Sequence, residues 1–186
     1  MQPSGAQRTY LLNQVEFAFT LRRLLIDYAH WARELILLSS MAGIDTEAVQ
    51  QRLRRNAEDL SGIVRQLYGE RNAAQFEGAL NAQNALILEL INAVKANDTQ
   101  RIEQLNTQWY ALADTTAEFI ATWNSNFDRN EIQTTFYDLI YMTENEIMQI
   151  FSGNYAESIR QYDQIVDRIM DMAEDITFAV MRQLQI

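Results

Sequence analysis

Apolar residues recur at intervals of three and four along nearly the whole chain, and this periodicity constrains the fold more than any other feature. The clearest example is the C-terminal stripe of Tyr155, Ile159, Tyr162, Val166, Ile169, Ala173, Ile176, Val180 and Leu184. Such spacing is typical of an amphipathic helix with one face against a core. The chain has one proline and six glycines, too few for a turn-rich β protein. The pattern therefore predicts the all-α class.

Short breaks divide this pattern into about six helices. The predicted breaks lie at residues 43–45, 68–69, 97–98, 124–130 and 153–154. Asp45, Asp98 and Asp128 follow or end three of these breaks, where a carboxylate can cap the next helix. Short links place consecutive helices side by side in opposite directions. We therefore predict one elongated antiparallel helical bundle that spans residues 1–186, with residues 1–8 flexible.

Charge and composition argue against several classes of protein. The formal net charge is −10, which repels phosphate and argues against nucleic-acid binding. No stretch of 18 residues is free of charge, so we expect no membrane span. The N-terminal residues lack a basic segment followed by an apolar run, so we expect no secretory signal. The chain has no cysteine, which excludes disulfides and thiolate metal sites and fits a cytoplasmic location.

The only histidine lies three residues after an aspartate, at a spacing that brings Asp27 and His30 to one face of a helix. Ferritin-like di-iron bundles need Glu-x-x-His on two helices, and this chain contains no such motif. A nucleophile elbow and a glycine-rich phosphate loop are also missing. We therefore predict no catalytic residue, no metal and no cofactor, and we interpret His30 as an imidazole that holds a hydrogen bond or faces solvent.

Several polar residues stand where the apolar stripes should continue. Asn56 and Asp59 lie among the core positions of the second predicted helix, Gln83 among those of the third, and Asp114 one turn after Trp109. A buried polar group without a partner costs about 1–3 kcal/mol. We therefore expect these side chains to meet in one interior network. The network would either fix the register of the helices or line a pocket, and the sequence leaves both interpretations open.

The same residues resemble a family of small all-helical bacterial proteins with no established activity. The likeness covers about residues 20–180 and rests on Leu21-Arg22-x-Leu24, Asp27-x-x-x-Trp31-x-Arg33, Arg55-Asn56-x-x-Asp59-Leu60, Leu67-Tyr68-Gly69 and Trp109-Tyr110-x-x-Ala113-Asp114. The resemblance implies histidines of a metal or small-cofactor site at the position of Tyr28, near Gln83 and near Leu139, and this chain has no histidine there. It therefore implies that this chain has lost that site. An interior ion pair of Arg33 with Asp59 or Asp114 would belong to the framework that remains.

Three hypotheses about function follow. The first is a non-enzymatic structural or interaction protein that forms a homo-oligomer or binds a protein partner, because residues 9–26 are apolar on more than one face and offer Tyr10, Phe17 and Phe19 as anchors. The second is a bundle that binds a small ligand or metal. Its pocket would take in Asp27, His30, Trp31, Arg33, Asn56, Asp59, Gln83, Trp109 and Asp114. The third is an enzyme, such as a degenerate metalloenzyme. The absence of a recognisable set of catalytic residues favours the first hypothesis.

We also expect His30→Gln to leave thermal stability nearly unchanged, and Asp59→Ala or Asp114→Ala to lower it more.

Overall fold

The computed structural model describes the backbone of residues 5–184 and the side chains of residues 13–184. These residues form six helices and no strand: α1 (Gly5–Ser40), α2 (Glu47–Tyr68), α3 (Glu70–Ala96), α4 (Thr99–Ala121), α5 (Arg129–Phe151) and α6 (Tyr155–Leu184). The predicted all-α class is confirmed. Of the segment predicted to be flexible, residues 1–4 lie outside the described residues and the remainder belongs to the backbone of α1. None of the six described helices is long and apolar enough to cross a membrane.

The helices begin and end where local chemistry satisfies their terminal groups. Gly69 alone joins α2 to α3, with a φ of 87° that a side chain would make costly. The carboxylate of Asp98 accepts from one backbone N–H in the first turn of α4 at 3.0 Å. That of Asp128 accepts from two in the first turn of α5 at 2.7 and 3.2 Å. Asp45 likewise accepts from the N–H of Glu47 at 2.9 Å, so all three predicted carboxylates bond to the helices that follow them.

The six helices form a closed ring in chain order. Each helix packs against the next one along the chain, and α6 packs back against α1. Neighbours run in opposite directions, as the ion pair of Asp138 and Arg168 shows, because its two members lie equally far from the turn between α5 and α6. The alternate helices α1, α3 and α5 also contact one another across the ring. These three helices therefore run in the same direction and approach the axis most closely.

Buried apolar residues form two clusters along this axis. The first includes Leu35, Ile91 and Ile147 and lies toward the end of the bundle where α1 finishes. The second includes Leu24 and Ile169 and lies in the opposite half. Residues from both clusters border the same space in the middle of the ring. The core is therefore divided, and the interior between its two parts is not fully packed.

Candidate functional site

A cavity of about 140 Å³ occupies the axis between the two core clusters, and we call it the central cavity. All six helices contribute to its wall, and on five of them the lining residues cover about 16 Å of helix length. The small side chains of Ala29, Ala32, Ala79 and Ala113 line it. The cavity exists because larger side chains at these positions would fill the space. An engineered apolar cavity of about 150 Å³ in another protein binds benzene. The central cavity is thus large enough for a small organic molecule.

The wall of the central cavity is mainly aliphatic and aromatic. Its apolar members include Leu25, Ile36, Leu80, Phe136 and Ile176. The side chains on the wall that carry hydrogen-bonding groups are Tyr28, Arg33, Gln83, Trp109, Thr116, Thr143 and Glu146. A wall of this composition favours an apolar molecule, whose orientation a small number of hydrogen-bonding groups can fix.

At one end, the wall of the central cavity includes an ion pair between Arg33 of α1 and Glu146 of α5. The side chains are only 14% and 2% exposed. The Arg33 guanidinium also donates to the backbone carbonyl of Ser158 at 3.1 Å and lies 4.7 Å from the centre of the Tyr162 ring, both in α6. These contacts give a buried charge the partners it requires. The pair therefore joins α1, α5 and α6 at one point.

The predicted partners of Arg33 were wrong. Asp59 is exposed on the outside of α2, and Asp114 bonds to side chains of α5 instead. Glu146 was missed as the partner, although it lies in register with Ile150 and Thr143 on the apolar stripe of α5. A carboxylate in that register is the signal that could have found it, because an ionised side chain on a buried face requires a cation.

Tyr28, Gln83 and Trp109 provide a phenol, an amide and an indole on the cavity wall. The Tyr28 hydroxyl donates to Asn84 Oδ1 at 2.8 Å. Burial raises the pKa of the Tyr28 phenol well above its ordinary value, and a hydrogen bond with Gln83 opposes this change. Trp109 is 2% exposed, and its Nε1–H has no hydrogen-bond acceptor among the residues that the structure describes. Tyr28, Gln83 and Leu139, at or near which the family resemblance implies histidines, all line this one cavity.

Asp27, His30 and Trp31 do not line the central cavity, although Trp31 is half-buried and packs against the first core cluster. Asp27 Oδ2 is 3.5 Å from a guanidinium nitrogen of Arg23 and of Arg52. His30 is exposed, and its ring lies edge-on to Trp31 with centroids 5.1 Å apart. Within the described part of the chain, no three histidine, aspartate or glutamate side chains are grouped so that they could hold a metal ion.

Asn56 and Asp114 each join one pair of neighbouring helices. Asn56 is fully buried, and its amide donates to the backbone carbonyl of Leu24 at 3.0 Å, which links α2 to α1. Asp114 accepts from the Tyr137 hydroxyl at 2.6 Å and from Gln133 at 2.5 Å, which links α4 to α5. These two bonds lower the pKa of the Asp114 carboxyl below its ordinary value.

The expected single interior network is therefore wrong. Gln83, Trp109 and Arg33 line the central cavity. Asn56 and Asp114 instead form hydrogen bonds between neighbouring helices, and Asp59 faces solvent. Both interpretations of the buried polar groups apply, each to different residues. Some of these groups fix the register of neighbouring helices, and others line a pocket.

Comparison with known proteins adds no assignment. No family model, curated protein or solved structure matches the chain. The family resemblance stays a prediction.

Removing Arg33 should destabilise the protein far more than removing an exposed arginine. Arg33→Met leaves the Glu146 carboxylate buried without its cation, and the expected loss is about 3–5 kcal/mol of unfolding free energy. In the double variant Arg33→Met with Glu146→Met, the loss should be smaller, because no unpaired charge remains. Urea denaturation measures both variants. Arg65→Met, which breaks the exposed pair with Glu70, is the matched control and should have little effect. Equal losses for Arg33→Met and Arg65→Met would contradict the assigned role of the pair.

Thermal melts of three further variants should rank differently from the sequence expectation. His30→Gln and Asp59→Ala should each change the melting temperature little, because both side chains are exposed. Asp114→Ala should lower it more, because the Tyr137 hydroxyl and the Gln133 amide lose their acceptor. Since the folded pKa of Asp114 is depressed, its contribution is present above the ordinary aspartate pKa and is lost as pH falls through the lower folded value. The difference from wild type should therefore shrink in acid. A loss for Asp59→Ala as large as that for Asp114→Ala would show that the position of Asp59 is misjudged.

Proposed function

We propose that this protein is a cytoplasmic, non-enzymatic binder of a small, mainly apolar molecule, which it holds in the central cavity. The observation that supports the proposal most directly is the cavity itself, because it lies on the axis of the bundle and is lined by all six helices. Filling it would bring apolar ligand atoms into contact with walls that otherwise lack partners. The driving force would be the removal of apolar surface from water, at about 25 cal/mol per Å².

The polar groups of the wall support binding rather than chemistry. The Glu146 carboxylate is paired with Arg33, and the Tyr28 hydroxyl is bonded to Asn84 with its pKa raised by burial. A general base needs a free acceptor near the reacting proton and a pKa near the working pH. Tyr28 and Glu146 do not combine those properties, whereas fixed hydrogen-bonding groups on an apolar wall are sufficient to orient a ligand.

Octan-1-ol is a suitable probe of the proposed cavity function. Isothermal titration calorimetry should give saturable binding of one molecule per chain, with a negative heat-capacity change from the burial of apolar surface. In the double variant Ala79→Leu with Ala113→Leu, two side chains that line the cavity are enlarged into it. Binding should weaken by at least about tenfold, because the added atoms take the space of the ligand.

The matched control for this experiment is Ala82→Leu with Ala111→Leu. Both alanines are exposed, and they lie on α3 and α4, the same helices as the cavity-facing pair. The control should bind octan-1-ol as the wild type does. No binding to the wild-type protein, or equal binding to both double variants, would contradict the proposal.

A second candidate function is self-association, which exposed apolar residues at one end of the bundle favour. Because α1 and α6 are antiparallel neighbours, the first half of α1 lies beside the last turns of α6. This end exposes Val15, Phe19, Phe178 and Leu184, of which Phe19 is 64% and Phe178 is 53% exposed. Of the anchors expected from the sequence, Phe17 packs partly into the second core cluster, and Tyr10 lies outside the described side chains.

Sedimentation velocity tests self-association directly. The wild type should sediment as a species larger than a monomer, and salt should strengthen the association because it screens the net charge of −10. The double variant Phe19→Ser with Phe178→Ser should shift the protein toward monomer. Tyr141→Ser is the control, because Tyr141 is equally exposed but lies on α5. A wild-type monomer across the accessible concentration range would rule out this second function.

A further inference from the structure

A second, smaller cavity adjoins the apolar end of the central cavity, at the turn between α4 and α5. It has a volume of about 90 Å³, and we call it the side cavity. Ile120, Phe136, Met172 and Ile176 line both cavities. All four are only partly buried, and Met172 is unbranched and flexible. These four side chains therefore separate the central cavity from the side cavity.

The outer rim of the side cavity is acidic. Asp128, Glu131 and Asp175 line it, and all three are exposed. We call these three residues the mouth. Asp128 also caps α5, which leaves Glu131 and Asp175 as the two carboxylates without a capping role.

None of the described arginine and lysine side chains forms a salt bridge with a carboxylate of the mouth. Arg168 donates to the Thr135 hydroxyl at 2.9 Å, and Thr135 lines the side cavity, but the Arg168 charge is paired with Asp138 at 3.0 Å. Arg129 acts on the opposite side of α5, where its charge helps to lower the pKa of Asp114. The mouth therefore keeps an excess of negative charge within a protein that is already strongly acidic.

From solvent to the axis, the lining of the two cavities is first acidic, then apolar, and finally contains a buried ion pair. The mouth is acidic, the four shared residues are apolar, and the wall at the far end includes the ion pair of Arg33 and Glu146. A charged ligand group placed beside that ion pair would be buried without a counter-ion. The same group left at the mouth would stay in contact with water and with carboxylates.

On the basis of the proposed cavity function, we infer that the ligand is a small aliphatic amine, whose chain enters the central cavity through the side cavity while its ammonium group stays at the mouth. The negative field would raise the local concentration of cations and repel anions of the same shape. Attraction at the mouth is modest because it is exposed to solvent. Most of the affinity comes from the chain, and the mouth contributes selectivity for charge.

Three probes of equal chain length test this inference by calorimetry at pH 7: octylamine, octan-1-ol and octanoate. We expect octylamine to bind tightest and octanoate at least about tenfold more weakly than octylamine. Hexylamine, which is two methylenes shorter, should bind about fifteenfold more weakly than octylamine, because each buried methylene strengthens binding about fourfold. Raising the salt concentration should reduce the advantage of octylamine over octan-1-ol.

The variant that isolates the mouth is Glu131→Gln with Asp175→Asn. It should weaken octylamine binding roughly threefold to tenfold and leave octan-1-ol binding unchanged, because two exposed charge contacts are lost. The control is Asp167→Asn with Asp171→Asn, which removes the same charge from exposed positions on α6 that line neither cavity. Since all four residues are exposed, both variants should fold like the wild type.

The outcomes separate this inference from the proposed function. If octan-1-ol binds in the cavity but octanoate binds as well as octylamine, the inferred selectivity is wrong and the cavity function stands. The inferred selectivity is also wrong, with the cavity function unaffected, if the mouth variant and its control bind octylamine equally. If none of the three probes binds, the cavity function fails and the inference fails with it.

Discussion

The ion pair of Arg33 and Glu146 is the interaction on which the arrangement of the bundle interior depends. It connects α1 to α5 across the ring and, through the carbonyl of Ser158 and the ring of Tyr162, also to α6. Apolar contacts between helices are tolerant of small sliding and rotation, whereas a buried charge is stable only where its partners stand at bonding distance. The pair therefore selects one register of three helices. It also lines one end of the central cavity with groups that already satisfy each other.

The central cavity follows from the number of helices and the size of the side chains that face the axis. A closed ring of six helices encloses more space than a four-helix bundle, and the approach of α1, α3 and α5 fills only part of it. Alanines at positions 29, 32, 79 and 113 leave the remainder empty. The two core clusters lie on either side of the central cavity along the axis. Apolar packing in these two clusters therefore stabilises the bundle, while the space between them is not filled by side chains. This division lets the fold be stable and still provide room for a ligand.

The fold could be predicted from the sequence because helix formation depends on local patterns. The periodic stripes, Gly69 and the capping aspartates mark the helices within a few residues.

The site was harder to predict, because a residue at the edge between the buried and the exposed face of a helix can point toward the core or toward solvent. Asp59 lies three residues from the buried Asn56 and yet is exposed. Glu144 and Glu146 are two residues apart, but Glu146 meets Arg33, whereas Glu144 is half-buried near α4 with its pKa raised by burial to about 7. The pairing of Arg33 depends on contacts between residues more than a hundred positions apart, and the cavity depends on the combined volumes of side chains from six helices, neither of which a local pattern contains.

The stability cost of the cavity bears on the proposed binding function, because a bound molecule could offset that cost. By the dependence measured for engineered cavities, an empty volume of this size lowers stability by about 3 kcal/mol relative to a filled core. A few added methylene groups would remove that cost, because alanines already stand at the wall. A molecule that fills the space gains the same contacts, and binding to the folded state alone then stabilises the protein. Packing alone does not explain one polar group of the wall: the indole N–H of Trp109 is buried with no acceptor among the described residues, and a buried donor without a partner lowers stability. The apolar cavity and the acidic mouth beside its apolar end are each unfavourable for the isolated chain, and one small cationic amphiphile would relieve both at once.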